Sequence, residues 1–238
     1  VKTAFAVMYS LCGYVILYGS CFTPWMDIVA LFPLLMLALD RLLTTGKKLF
    51  YIFMVALSFI INYYLSAMAL IYVFLVSGVY ILLLCERKEW KKHAWNLGIG
   101  TAAGMGLSCF VLIPVFMQLS GSQRGNAGGS IVSQYLGWIK GAIVTDGSMA
   151  AFQRYMMLYG LSFVLAVILI GLKKYKEDKK MCRVMACLLG IALLPMFVEG
   201  INLMWHFGSY NGYTLRNGFL IAFTLLCMGA YYAQKMFA

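Results

Sequence analysis

Between Glu199 and Arg216 the sequence reads Glu-Gly-Ile-Asn-Leu-Met-Trp-His-Phe-Gly-Ser-Tyr-Asn-Gly-Tyr-Thr-Leu-Arg. That stretch carries an imidazole (His206), an indole (Trp205), phenols (Tyr210, Tyr213), amides (Asn202, Asn211) and a guanidinium (Arg216). Aromatic faces suit stacking on sugar rings, and a guanidinium suits bidentate binding of phosphate. An imidazole is a common general base, and His206 could act as one. No Ser or Asp stands at a diagnostic spacing from it. Further polar residues interrupt apolar sequence at Trp25 and Asp27, at Asn62 and Tyr63, and at Arg124. Asp27 could accept a hydrogen bond or ligate a cation. There is no HExxH and no DxD pair, so a divalent metal is an open option rather than a demand of the sequence. The plain alternative is an aromatic belt at a bilayer surface, which accounts for Trp and Tyr but not for His206 and Arg216.

Those residues need elements to hold them, and the composition says which. Of 238 residues, 63% are apolar, 16% are aromatic and only 11% are charged. A soluble domain carries roughly a quarter charged residues. Disorder is excluded by the aromatic content. At ~20 residues per crossing, 63% of the chain would supply about seven or eight membrane helices. The expectation is an all-α, polytopic transmembrane bundle of about eight spans, forming a single transmembrane domain over residues 1–238. The seven cysteines form no CxxC and lie mostly in apolar stretches, so neither a disulfide framework nor a zinc site is expected. A start at Val1, with no cleavage pattern after the first apolar run, suggests a piece of a longer protein.

Apolar runs are expected at 3–22, 28–43, 49–61, 64–85, 94–117, 155–172, 184–198 and 218–233, with a polar, aromatic loop over 199–217 before the last. The third and fourth come from one stretch, Leu49 to Cys85. As a single helix its roughly 37 residues would reach about 55 Å, far beyond the ~30 Å hydrocarbon core. Asn62-Tyr63-Tyr64 offers the one plausible turn. Residues 131–144, moderately apolar with Trp138, are expected to be an interfacial segment on the outer face. With Lys2 on the cytoplasmic side and eight crossings, every Lys and Arg falls inside except Arg124, Lys140, Arg154 and Arg216. Keeping 49–85 as one span would scatter the charge over both faces, so the positive-inside rule supports the hairpin. It also accounts for the net charge of +11 without nucleic acid. Gly98-Ile-Gly100-Thr-Ala-Ala103 fits a dinucleotide fingerprint loosely, but no strand precedes it. Gly100 and Gly104 read instead as a close helix contact.

In order and spacing, several of these segments resemble the bacterial YfhO family of membrane proteins. They are Tyr9 to Asp27 with Pro24-Trp25-Met26-Asp27, Phe32-Pro33, Asn62-Tyr63-Tyr64, Pro114 with Gln118 and Arg124, and Asn202-Leu-Met-Trp205-His206-Phe-Gly through Asn211 to Arg216-Asn-Gly-Phe219. The resemblance implies a polytopic glycosyltransferase of the GT-C type in the bacterial plasma membrane, with its active face outside. Such enzymes take a sugar from a polyprenyl-phosphate donor to a cell-envelope polymer such as lipoteichoic acid. It also implies a catalytic carboxylate in an outer loop upstream of Val1. Within this sequence Asp27 and His206 would support catalysis. Trp25, Asn62, Tyr63, Arg124, Asn202, Trp205, Tyr210, Asn211 and Arg216 would line the substrates, with the two arginines on the donor phosphate. The rival readings are a transporter or lipid flippase, and a membrane subunit without a site of its own.

Overall fold

The computed structural model describes residues 1–120, 161–207 and 215–237. Arg124, Tyr210, Asn211 and the expected interfacial segment 131–144 lie outside the described residues. The described part is helical, and it belongs to two compact units, one of Val1–Thr23 with Tyr135–Ala238 and one of Pro24–Gln134. All seven cysteines are free.

The second unit contains α3 (Thr23–Thr45, but for its first residue), α4 (Leu49–Ile61), α5 (Tyr63–Leu84), a 3-10 turn at Arg87–Glu89, α6 (Trp90–Leu107) and α7 (Cys109–Ser120). The hairpin expected at Asn62 is present. Its backbone is extended, and its side-chain oxygen accepts the Leu65 N–H at 3.1 Å. That capping bond satisfies a donor that the first turn of a helix leaves open. The α4 helix has only 13 residues and rises about 20 Å, whereas the 22 residues of α5 rise about 33 Å.

Helix α4 runs alongside α6, and glycine makes the approach possible. A Cβ on Gly100 would come within 2.9 Å of the Tyr51 ring, and one on Gly104 within 2.7 Å of Val55 and 2.9 Å of the Ile52 carbonyl oxygen. Tyr51 is fully buried there, and its hydroxyl shares a 2.9 Å hydrogen bond with Thr101. The spacing of Gly100 and Gly104 therefore does serve close helix packing, as small residues do in membrane bundles. Phe32 of α3 meets Tyr72 of α5 edge-on at 5.6 Å.

The first unit contains α1 (Lys2–Ser10), α2 (Gly13–Gly19), α8 (Ser162–Lys174), α9 (Lys179–Phe197), α10 (Glu199–Trp205) and α11 (Gly218–Phe237). Helix α11 is its centre and packs against α1, α2, α8 and α9. Twelve of its residues are buried, from Gly218 to Ala233. Phe5 lies against Gly229, Tyr9 against Phe223 and Tyr14 against Phe219, so the N-terminal run is antiparallel to α11. Val164 lies against Gly229 and the Gly171 position against Tyr232, so α8 is parallel to it. Lys173, Lys174 and Lys235 consequently gather at one end of this unit.

Three expectations need correction. The run at 3–22 is two short helices, because the chain breaks at Leu11 and Cys12. The run at 94–117 is bent by 79° between α6 and α7. The Ser108 hydroxyl reaches back to the Gly104 and Met105 carbonyls at 3.3 and 2.9 Å, a bond that competes with the helix ladder and bends it. The polar stretch 199–217 begins with a helix, α10, rather than a loop. By length and composition, four of the described helices (Thr23–Thr45, Tyr63–Leu84, Lys179–Phe197, Gly218–Phe237) can cross a membrane, and α6 with α7 would make five. The count of eight spans is not confirmed.

The glycine contacts can be tested directly. Gly104→Ala pushes a methyl group into Val55 and backbone, and should lower stability by about 1–3 kcal/mol. Gly98→Ala, on the same helix with open space beside it, should leave stability unchanged or raise it slightly. Thermal unfolding in detergent reads the difference. Equal effects from the two substitutions would contradict the close approach of α4 and α6.

Candidate functional site

Polar side chains buried among apolar helices need a reason, because each costs desolvation. In the first unit they concentrate around the start of α11 and along α10. Tyr14 of α2 is fully buried and donates its hydroxyl hydrogen to the Arg216 carbonyl at 3.0 Å. Its ring lies 4.7 Å from Tyr18 and 5.6 Å from Phe219, centroid to centroid. Together these contacts fix the segment Leu215 to Phe219 against α2. Arg216 is half-buried there, and Asn217 is 1% exposed. Among the described residues the Asn217 side-chain oxygen meets no hydrogen-bond partner. A buried acceptor left unbonded costs about 1–3 kcal/mol, which makes it a place where a ligand hydroxyl would be welcome.

The second group belongs to α10. Asn202, Trp205 and His206 stand three and four residues apart, which places them on one helical face, and all are buried. Helix α10 packs on α9, which also packs on α11. The helix ends at Trp205, and Phe207, two residues on, adopts a φ of 54°. Left-handed backbone at a residue with a Cβ costs roughly 1–2 kcal/mol, and glycine is the usual choice at such a C-terminal turn. Strain of that kind tends to persist where a segment is held for a purpose.

The remaining candidates sit in the second unit. Asp27 is exposed and Trp25 half-buried near the start of α3. Asn62 is engaged as the cap of α5, and Tyr63 beside it is 36% exposed. The structure therefore brings Arg216 together with Tyr14, Tyr18 and Asn217, and it aligns Asn202, Trp205 and His206 on α10. Among the described residues no group of three His, Cys, Asp or Glu side chains is arranged to hold a metal ion. Sequence reasoning passed over Tyr14, Tyr18 and Asn217. Asn217 had one signal, an amide directly after an arginine and before an apolar run. The tyrosines had none that sets them apart from the others in the chain.

Removing the Tyr14 hydroxyl tests whether it pins the Arg216 segment. Tyr14→Phe keeps the ring contacts and should cost about 1 kcal/mol of stability. It should also speed amide exchange at Gly218 and Phe219, measured by deuterium uptake. Unchanged exchange there would show that the segment is held by something else.

No curated protein and no solved structure matches the chain. The profile of the bacterial membrane protein YfhO matches residues 1–238, the whole sequence. With its apolar helices and its buried polar segments at 202–206 and 216–217, the chain belongs to the YfhO family of bacterial membrane proteins.

Proposed function

We propose that this chain is the central membrane part of a glycosyltransferase of the GT-C type. In this reading it moves a sugar from a polyprenyl-phosphate donor to a cell-envelope polymer on the outer face of the plasma membrane. The observation that carries it is the polar set at the start of α11: half-buried Arg216 followed in sequence by buried Asn217, whose side-chain oxygen has no hydrogen-bond partner among the described residues. A guanidinium neutralises a phosphate in two-pronged fashion, and an amide oxygen accepts from a sugar hydroxyl. Asn202 and His206 add further polar atoms in the same unit. Trp205 is 5% exposed, so it shapes the wall more than it offers an open stacking face.

The reaction would run as follows. An acceptor hydroxyl attacks the anomeric carbon while the bond from that carbon to the phosphate oxygen breaks. The polyprenyl phosphate leaves with the bonding electrons, and Arg216 stabilises the charge it gains. The acceptor proton passes to a carboxylate base of the full-length protein; His206 in the first unit and, separately, Asp27 in the second are proposed supporting groups. Arg124 is the second proposed phosphate ligand, and Tyr210 and Asn211 extend the sugar site. Within the second unit, Trp25, Asn62 and Tyr63 are proposed substrate contacts of their own. The gathering of Lys173, Lys174 and Lys235 at the opposite end of α11 supports an outward-facing site, since basic ends stay in the cytoplasm.

One observation favours a second reading, a lipid flippase. Transporters use interrupted helices, and both the α1–α2 break and the 79° bend between α6 and α7 are interruptions. Translocation of a sugar-lipid by the reconstituted full-length protein, with no transfer to acceptor, would establish that reading over the first.

Two substitutions in the full-length protein separate chemistry from architecture. Arg216→Ala should lower polymer glycosylation about a hundredfold or more, the loss typical of a charge-stabilising group. Glycosylation at the wild-type level would remove Arg216 from the phosphate. Asn217→Leu takes away an oxygen that has no partner among the described residues, so stability should hold or rise, while glycosylation falls about tenfold. A loss of stability with unaltered glycosylation would make Asn217 a structural residue.

A further inference from the structure

The basic end of the first unit has more geometry than a topology signal requires. Positive-inside orientation asks only that Lys and Arg lie near the ends of spans, in any arrangement. Here two ammonium groups from separate helices converge on one ring. Lys174, at the end of α8, holds its Nζ 5.6 Å from the centroid of Tyr175, and Lys235, at the end of α11, holds its Nζ 4.5 Å from it. Both therefore lie within about one Debye length of each other, where like charges repel. Tyr175 is itself locked in place. Its hydroxyl donates to the Lys235 carbonyl at 2.7 Å, and its ring stacks on Tyr232 at 6.3 Å and 15°. The approach of Gly171 to Tyr232 just above draws α8 and α11 together.

Around this ring basic groups outnumber acidic ones, with Glu177 and Asp178 as the neighbouring carboxylates. Lys173, Lys174, Lys176, Lys179, Arg183 and Lys235 are exposed, and none has a carboxylate within ion-pair distance among the described residues. The nearby Asp178 carboxylate is occupied, accepting the Met181 N–H at 3.1 Å as the cap of α9. Single positive charges at helix C-termini offset the helix dipole, which accounts for one lysine on each helix but not for their convergence.

We infer that the Lys174–Tyr175–Lys235 cluster is a binding site for the headgroup of an anionic glycerophospholipid in the adjoining leaflet. A phosphodiester reached by both ammonium groups relieves their repulsion, and a tyrosine ring suits the level where headgroups meet acyl chains. A lipid source fits better than a soluble acidic protein because the cluster sits on the last turn of α11, a helix long and apolar enough to cross a membrane, and on the end of α8 packed against it. The site is independent of the proposed transferase chemistry and rests on membrane insertion alone.

Lipid retention tests it. The full-length protein is reconstituted with mixed phosphatidylglycerol and phosphatidylethanolamine, extracted into detergent, and its bound lipid is counted by native mass spectrometry. Wild type should retain phosphatidylglycerol over phosphatidylethanolamine. Lys174→Gln with Lys235→Gln should reduce that retention about tenfold, as expected for two lost headgroup charges. Lys173→Gln with Lys176→Gln makes the same change in net charge away from the converged pair and should have the smaller effect. Equal losses from the two pairs would overturn the site in favour of diffuse attraction, and so would no loss from either. Retention of both lipids alike by wild type would overturn it as well.

Discussion

Helix α11 enters and leaves its unit beneath a tyrosine. At its start the Tyr14 hydroxyl bonds the Arg216 carbonyl, and at its end the Tyr175 hydroxyl bonds the Lys235 carbonyl. Carbonyl groups at the margins of a helix are hard to satisfy where water is scarce, and a phenol supplies the donor on an otherwise apolar body. Between these two bonds, Gly229 and Gly171 let Phe5, Val164 and Tyr232 come close. Four helices are thereby arranged on one axis. Whatever sits at either end of α11 is placed by the same pair of constraints.

The two ends differ in chemistry because they differ in what they bury. At the Arg216 end the polar groups turn inward, so Asn202, His206 and Asn217 are each at most 2% exposed. At the Lys235 end the charges stay in solvent while only the rings pack. Inward-facing polarity demands a partner for every atom, and such a site is selective. Outward-facing charge tolerates many arrangements, so convergence on a single ring is the informative departure there.

Much of this was legible in the residues. The Asn62 hairpin followed from arithmetic, since no bilayer holds an apolar helix as long as Leu49 to Cys85. The glycines of α6 followed from their four-residue spacing in an apolar run. The breaks at Cys12 and Ser108 were not legible, because a serine that bonds back to its own helix looks like any other serine in sequence. Helix α10 was hidden inside a stretch that reads as polar. Its face of Asn202, Trp205 and His206 has helical spacing, but over seven residues that spacing is too short to be distinctive. Tyr14 was invisible for another reason: its partner is the backbone of residue 216, and backbone carries no sequence signature.

The brevity of α4 has a mechanical consequence. A helix of 13 residues rises about two-thirds of the hydrocarbon thickness. Lipids beside it must compress or tilt their tails to cover it, whereas lipids beside α5 need not. Where α4 meets lipid, the second unit would therefore present the bilayer with a step in height. A thinned annulus of this sort lowers the elastic work of bringing a headgroup inward at that spot, and it draws shorter-tailed lipids toward the α4 side of the protein.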